Sequence, residues 1–301
     1  MAACCKSFAS GTSSAYRAVM SWLRVGTGIL LGSLLSGPAP AAALRVVTTV
    51  APVYCLTANV AGGLATVENL LPPGASSHDF QLTFAERRKL ERADLIIANG
   101  LGLESWLEKS LQQSGRTNIL HAADGIGLPA IPPPDPHVWL DPSLAIKMVG
   151  NILGALQRAD PANAAGYATH ASVLIARLHA LDRELTIGLS TITNRSIVTS
   201  HGAFVYLARR YSLTIAGVVE EQPEVDPSPA HLTALRAAIR QHDVKALFVD
   251  PHEGMRRARL LGRDFGVSVG LLDPLEAAPL TLSAYEEGMR RNLDSLRQTL
   301  K

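Results

Sequence analysis

Residues 161–189, PANAAGYATHASVLIARLHALDRELTIGL, hold no proline after Pro161 and only two glycines, Gly166 and the near-terminal Gly188. So uninterrupted a stretch predicts one helix, and about 28 residues rising about 1.5 Å each reach about 42 Å, enough to run the height of a domain. A rigid strut between two lobes explains such a segment better than a flexible hinge. What flanks it is alike on both sides. Before it, β-rich runs at 45–50, 67–71, 95–98 and 117–120 alternate with amphipathic stretches, and after it the same alternation returns at 196–199, 214–218, 244–249 and 267–272. Alternating strands and helices imply parallel sheets covered by helices on both faces. The expected fold is α/β, with two lobes over 44–159 and 191–301. Each carries a four-stranded, mainly parallel sheet flanked by helices, and one backbone helix over 160–190 joins them.

Helix starts fall where this scheme needs them. Thr83 with Glu86 and Ser283 with Glu286 have the spacing of a capping box, while Asp141-Pro142, Asp160-Pro161 and Ser228-Pro229 pair a cap with proline at the first helical position. After Pro142, the side chains of Ala145, Met148, Val149, Ile152 and Leu156 share one face, as do Tyr285, Met289, Leu293, Leu296 and Leu300 in the last helix. Both stripes read as core-facing. The proline-rich run 128–136 reads as a loop.

The first 43 residues are of another kind. Lys6, Arg17 and Arg24 precede an apolar run from Val25 to Leu35, followed by Pro38-Ala39-Pro40-Ala41-Ala42-Ala43. That is the basic region, short apolar region and small-residue cleavage site of an export signal, and the apolar run is too short for a bilayer core that needs about 20 residues. The mature chain is expected to begin near Leu44; Met20 offers a second start that leaves a leader of ordinary length. No cysteine stands at the cleavage point to accept a lipid. The whole chain has 28 basic and 26 acidic residues, and removing the leader's three cations leaves a formal charge of −1, which gives nucleic-acid binding no support. Cys4 and Cys5 leave with the leader, so Cys55 stands alone, excludes an intramolecular disulfide and reads as a small buried side chain.

Four residues that bind divalent metals, His78, His137, His201 and Asp273, are separated by 59, 64 and 72 positions. That is too wide for a zinc finger. His78 follows Leu70-Leu71-Pro72-Pro73-Gly74, His201 follows Ile197-Val198-Thr199-Ser200, and Asp273 follows Gly270-Leu271-Leu272. All three lie past strand ends, where open parallel sheets bind ligands. His137 comes from a loop just before a helix. Spacing by itself does not separate a ligand set from ordinary strand-end histidines. The surrounding sequence does.

The flanking motifs carry a likeness to a known family. The residues that carry the likeness begin with Glu68-Asn69-Leu70, Pro72-Pro73-Gly74, His78, Ala93-Asp94-Leu95, Asn99-Gly100-Leu101-Gly102-Leu103-Glu104 and Trp106-Leu107. They continue through Asp135-Pro136-His137-Val138-Trp139-Leu140-Asp141-Pro142, Ser200-His201-Gly202-Ala203-Phe204, Tyr206, Arg209-Arg210-Tyr211, Pro227-Ser228-Pro229, Phe248-Val249-Asp250-Pro251 and Leu272-Asp273-Pro274-Leu275. Running in order through the mature chain, the likeness is to the metal-binding proteins of ABC-type zinc and manganese importers, which this chain resembles. It implies two α/β lobes joined by a long helix, one metal held between them by His78, His137, His201 and Asp273, and delivery to an ABC permease in the inner membrane. A soluble, monomeric periplasmic protein without catalytic activity is expected.

Three neutral imidazoles and one carboxylate form a borderline-soft, four-coordinate set that suits Zn²⁺, whereas Mn²⁺ prefers more oxygen. Zinc is therefore expected, with manganese as the alternative. The chain departs from zinc-type members in lacking a His-rich acidic loop before His137, in carrying Asp250 where Glu is usual, and in placing Ser77 before His78. A zinc hydrolase is the rival class, but no His-Glu-x-x-His, Gly-x-Ser-x-Gly or Walker pattern occurs. An adhesin of the same fold would still have to account for the four ligands. His170, His179, His231 and His242 read as solvated; His252 could approach the site. Glu104 and Asp141 could orient ligand imidazoles, with a helix cap the simpler role for Asp141.

Overall fold

Among the described residues, eight short strands form two four-stranded sheets whose pairings are all parallel. The computed structural model describes residues 42–75, 77, 80–108, 117–128, 135–220, 225–252 and 255–300. The first sheet holds β1 (Leu44–Thr48), β2 (Ala65–Asn69), β3 (Leu95–Ala98) and β4 (Ile119–His121) in the order β2-β1-β3-β4. The second holds β5 (Ser196–Thr199), β6 (Thr214–Val218), β7 (Ala246–Val249) and β8 (Ser268–Leu271) in the order β6-β5-β7-β8. In both, the strand order reverses beside the first strand, which opens a crevice past the strands' carboxyl ends. Every residue of β3 and β7 is buried, as expected of parallel strands covered on both faces.

Helices that lie wholly among the described residues are α1 (Ala51–Ala61), α2 (Phe84–Arg92), α3 (Pro142–Ala159), α4 (Ala164–Ser190), α5 (Val205–Arg210), α6 (Pro229–Gln241), α7 (Met255–Phe265) and α8 (Ala284–Thr299). The strut α4 is 27 residues long and buries Tyr167, Ala171, Leu174, Leu178, Leu181, Leu185 and Leu189 against α1 and α3 from the first half and α8 from the last. One apolar cluster consequently runs from Val46 to Leu300 through both halves.

Local signals mostly act as read. Thr83 and Glu86 form the capping box of α2, Asp141 caps α3 by accepting from Ser143 N at 2.7 Å, and Ser228 caps α6 by accepting from His231 N at 3.1 Å. Two do not. Asp160 gives no cap, because its carboxylate accepts from Tyr167 Oη at 2.8 Å and Asn163 Nδ2 at 2.7 Å, and a 3-10 turn at Pro161–Asn163 precedes α4. Ser283 has φ −94° and ψ −12° rather than the extended backbone a cap needs, and Glu286 is drawn off to Arg177 at 2.6 Å.

Two of the histidines read as solvated are not. His231 Nε2 pairs with Val218 O at 2.8 Å, and half-buried His170 lies where a Cβ on Gly62 would fall 2.0 Å from its Nδ1. Gly62, at φ +56°, ends α1 with its N–H on Ala58 O, so both the left-handed turn and the imidazole require glycine there. Cys55 is buried, with Sγ 3.2 Å from Thr281 O.

Candidate metal centre

His137 is held by what surrounds it in sequence. Its N–H donates to Asp135 Oδ1 at 2.8 Å, and the 3-10 turn Val138–Leu140 that follows is wholly buried. Trp139 anchors that turn: its Nε1 donates to Pro274 O at 2.8 Å, and its carbonyl accepts from Tyr285 Oη at 2.6 Å. Both partners lie in the chain's second half. The imidazole is 3% exposed, with Nδ1 2.9 Å from Asp135 Oδ1 and Nε2 2.6 Å from Glu276 Oε1. Tyr206 Oη, on α5, donates to the Asp135 carbonyl at 3.1 Å.

His201 leaves the carboxyl end of buried β5 after Ser200, and its ring stands edge-on to His137 with centroids 5.2 Å apart. Glu276 follows β8 through a turn built by Asp273, whose Oδ1 accepts from Leu275 N at 2.7 Å while Leu275 adopts φ +68°. Asn292 of α8 fixes the same turn, accepting from Asp273 N and donating to Asp273 O at 2.8 Å each. The turn aims Glu276 inward.

Among the described residues, His137, His201 and Glu276 each offer one ligand atom, and these atoms lie within 4.8 Å of one another. Bonds of about 2.0–2.2 Å to a four-coordinate zinc hold neighbouring ligands about 3.5 Å apart. To admit an ion, His137 Nε2 and Glu276 Oε1, 2.6 Å apart, must part by about 0.9 Å, while no pair in the group has more than about 1.3 Å to close. His78 lies outside the described residues. Its neighbour Ser77 is fully buried and donates its hydroxyl to Glu276 Oε2, while Trp106 Nε1 donates to Ser77 O at 2.8 Å. Asp273 is not in the group; its described bonds belong to the turn. Neither Glu276 nor Asp135 stood out in the sequence, although an Asp-Pro-Leu-Glu turn and an aspartate two residues before a histidine are signals that a local reading could use.

Burial opposes charge on His137, but hydrogen bonds and attraction from Asp135 and Glu276 outweigh it and hold its pKa up to about 9. Burial also pushes the Asp250 carboxyl up to about 6, with repulsion from Asp273 and Glu276 adding to it against the N–H and charge of His252. His252 itself is exposed and outside the group. Glu104 orients no described imidazole. It is buried and accepts from Thr49 Oγ1 and Asn99 N at 2.7 Å each and Gly100 N at 3.0 Å, tying together the loops that leave β1 and β3. Asp141 serves as a helix cap and accepts from the Ser143 hydroxyl at 2.6 Å. Two buried carboxylates thus support the crevice floor.

The chain is 30% identical over 280 residues to the zinc-binding lipoprotein AdcA of Streptococcus pneumoniae, matching 85% of this chain and 56% of that protein. It therefore spans about half the length of that relative. The Zn(II)-bound ZnuA-like domain of AdcA superposes with a TM-score of 0.74 at 30% identity, over 86% of this chain and 99% of that one. The high-affinity zinc uptake system protein ZnuA of Bacillus subtilis is 29% identical over 85% of this chain and 88% of its own length. The substrate-binding protein FpvC of Pseudomonas aeruginosa in complex with Mn²⁺ has a TM-score of 0.79 at 28% identity, covering 86% of this chain and 98% of that one. With residues 46–299 matching the profile described as zinc-uptake complex component A, periplasmic, the chain belongs to that family.

Proposed function

We propose that this protein captures Zn²⁺ between its two α/β halves and passes it to an ABC-type permease, catalysing no reaction. The observation that carries this is the meeting of buried His137, from the first half, with half-buried His201 and Glu276, from the second, in one group of ligand atoms. Two imidazoles and a carboxylate leave a fourth place, which we assign to His78, next in sequence to Ser77. The fourth-ligand carboxylate expected from Asp273 is assigned to the Asp273–Glu276 turn, with Glu276 supplying the oxygen. Four protein ligands leave no open position for a substrate water, which argues against hydrolysis. The zinc-binding names of AdcA and ZnuA support the choice of metal.

Manganese is the second reading, favoured by the Mn²⁺ complex of FpvC. Among the described residues no helix is long and apolar enough to cross a membrane. The basic and apolar leader read in the first 43 residues supports export. Calorimetry on chelator-stripped protein is the test: one tight Zn²⁺ site per chain is expected, lost in His137→Ala and His201→Ala. A parent protein with no tight site, or variants that bind like it, would overturn the reading.

A further inference from the structure

Glu276 uses its two oxygens differently. Oε1 faces His137 Nε2 at 2.6 Å, within the group of ligand atoms, while Oε2 accepts the hydroxyl of Ser77 from the other half of the chain. We propose that Ser77 sets metal choice by restricting Glu276 to one-oxygen ligation; this rests on the capture reading above.

A carboxylate can give a metal one oxygen or two. Two oxygens raise the coordination number and the oxygen share of the site, which suits Mn²⁺; one keeps the compact, four-coordinate arrangement of Zn²⁺. For Glu276 to chelate, Oε2 must turn away from Ser77 and break a hydrogen bond to a charged group, leaving a buried hydroxyl without that partner. The hydroxyl cannot easily follow. Ser77 has no accessible surface, its carbonyl is held by Trp106 Nε1 at 2.8 Å, and the Trp106 ring stands edge-on to Phe80 at 5.2 Å. From the other side, the Asp273 turn and the left-handed Leu275 fix the backbone from which Glu276 reaches in. Ser77 is thus a positioning residue, acting on the ion through Glu276.

The test compares the parent protein with Ser77→Ala and with Ser77→Thr, which keeps the hydroxyl. Each is stripped and titrated with Zn²⁺ and Mn²⁺ in competition with a chelator, and oxygen neighbours of the bound ion are counted by X-ray absorption at both metal edges. Ser77→Ala should lose about tenfold of its preference for zinc over manganese, the lower end of the usual effect of removing a group that orients a ligand, and gain one oxygen neighbour. Ser77→Thr should keep the parent's values. In a Glu276→Gln background the Ser77→Ala change should leave the preference unmoved, because an amide has a single oxygen to give. An unchanged oxygen count in Ser77→Ala, in protein shown folded by its melting transition, overturns the role of Ser77 and leaves zinc capture standing. A parent that binds neither ion tightly overturns the capture reading instead.

Discussion

Asp135 Oδ1 lies 2.9 Å from Nδ1 of His137, on the side of the ring away from Glu276. A carboxylate in that place fixes the ring's orientation and tautomer, leaves Nε2 for the ion and makes the imidazole a better donor. Asp135→Asn should weaken Zn²⁺ binding about 10- to 100-fold by calorimetry, with the far-ultraviolet circular dichroism unchanged. An affinity within twofold of the parent's would show that the contact orients nothing.

The same contact sets a pH dependence. His137 holds its proton up to about pH 9 in the metal-free protein, and an imidazolium cannot ligate, so the ion must displace that proton. Apparent zinc affinity should therefore rise about tenfold per pH unit up to about 9, well above the window of an ordinary histidine near 6.5. Stability of the metal-free protein runs the other way. Because the folded pKa is raised, the stabilisation from His137 is fully present below about 6.5 and is lost as pH rises through about 9. Calorimetry in buffers of different ionisation enthalpy should detect the released proton at pH 7.5. Heats that do not depend on the buffer would refute the displacement.

Asp273 and Glu276 can be separated by amide substitution. Asp273→Asn keeps an oxygen to accept from Leu275 N and should change zinc affinity only a few-fold, whereas Glu276→Gln removes a charged donor and should cost more than about 100-fold, or upwards of about 2.7 kcal/mol. The reverse order would place the ligand at Asp273.

Cys55 is buried, and burial pushes its thiol pKa up to about 11. The thiolate is the reactive form. An alkylating reagent should leave the native protein unmodified at pH 7.5 and label one thiol per mature chain in denaturant, as read by mass spectrometry. Rapid native labelling would mean that the α1 region opens readily.

How far the sequence can be read depends on whether a feature is local. The eight described strands were legible; Leu95–Ala98 and Ala246–Val249 are the plainest, because they are buried on both faces and need apolar side chains at every position. The caps split on tertiary competition: Thr83 and Glu86 bond each other within their own helix end, while Glu286 is drawn to Arg177, on a helix more than 100 residues away. The site divides the same way. His137 and His201 show as metal-binding residue types beside breaks in secondary structure. Glu276 joins His137 and His201 at the end of a turn in which Asp273 Oδ1 accepts from Leu275 N. Asp135 and Ser77 matter through atoms they meet in space, which no spacing reveals.

That turn also depends on α8 lying close beneath it. A Cβ on Gly288 would fall 2.3 Å from Leu275 Cδ2, and Leu275 is fully buried with a left-handed backbone. The Leu275 backbone is fixed, its N–H held by Asp273, whose own backbone is bound on both sides by Asn292 one turn further along α8, so the buried side chain must repack from a set position. Alanine at 288 ordinarily favours a helix by about 1 kcal/mol over glycine, but overpacking a full core costs about 1–3 kcal/mol. The clash should win, and because the displaced residue precedes Glu276, the loss should reach the metal. Gly288→Ala is expected to lower the melting temperature of the metal-free protein by a few degrees and to weaken zinc binding as well. Gly150→Ala, where an added Cβ meets nothing within 4 Å in α3, should do neither. Equal behaviour of the two variants would show that the turn carrying Glu276 is not braced by the helix below it.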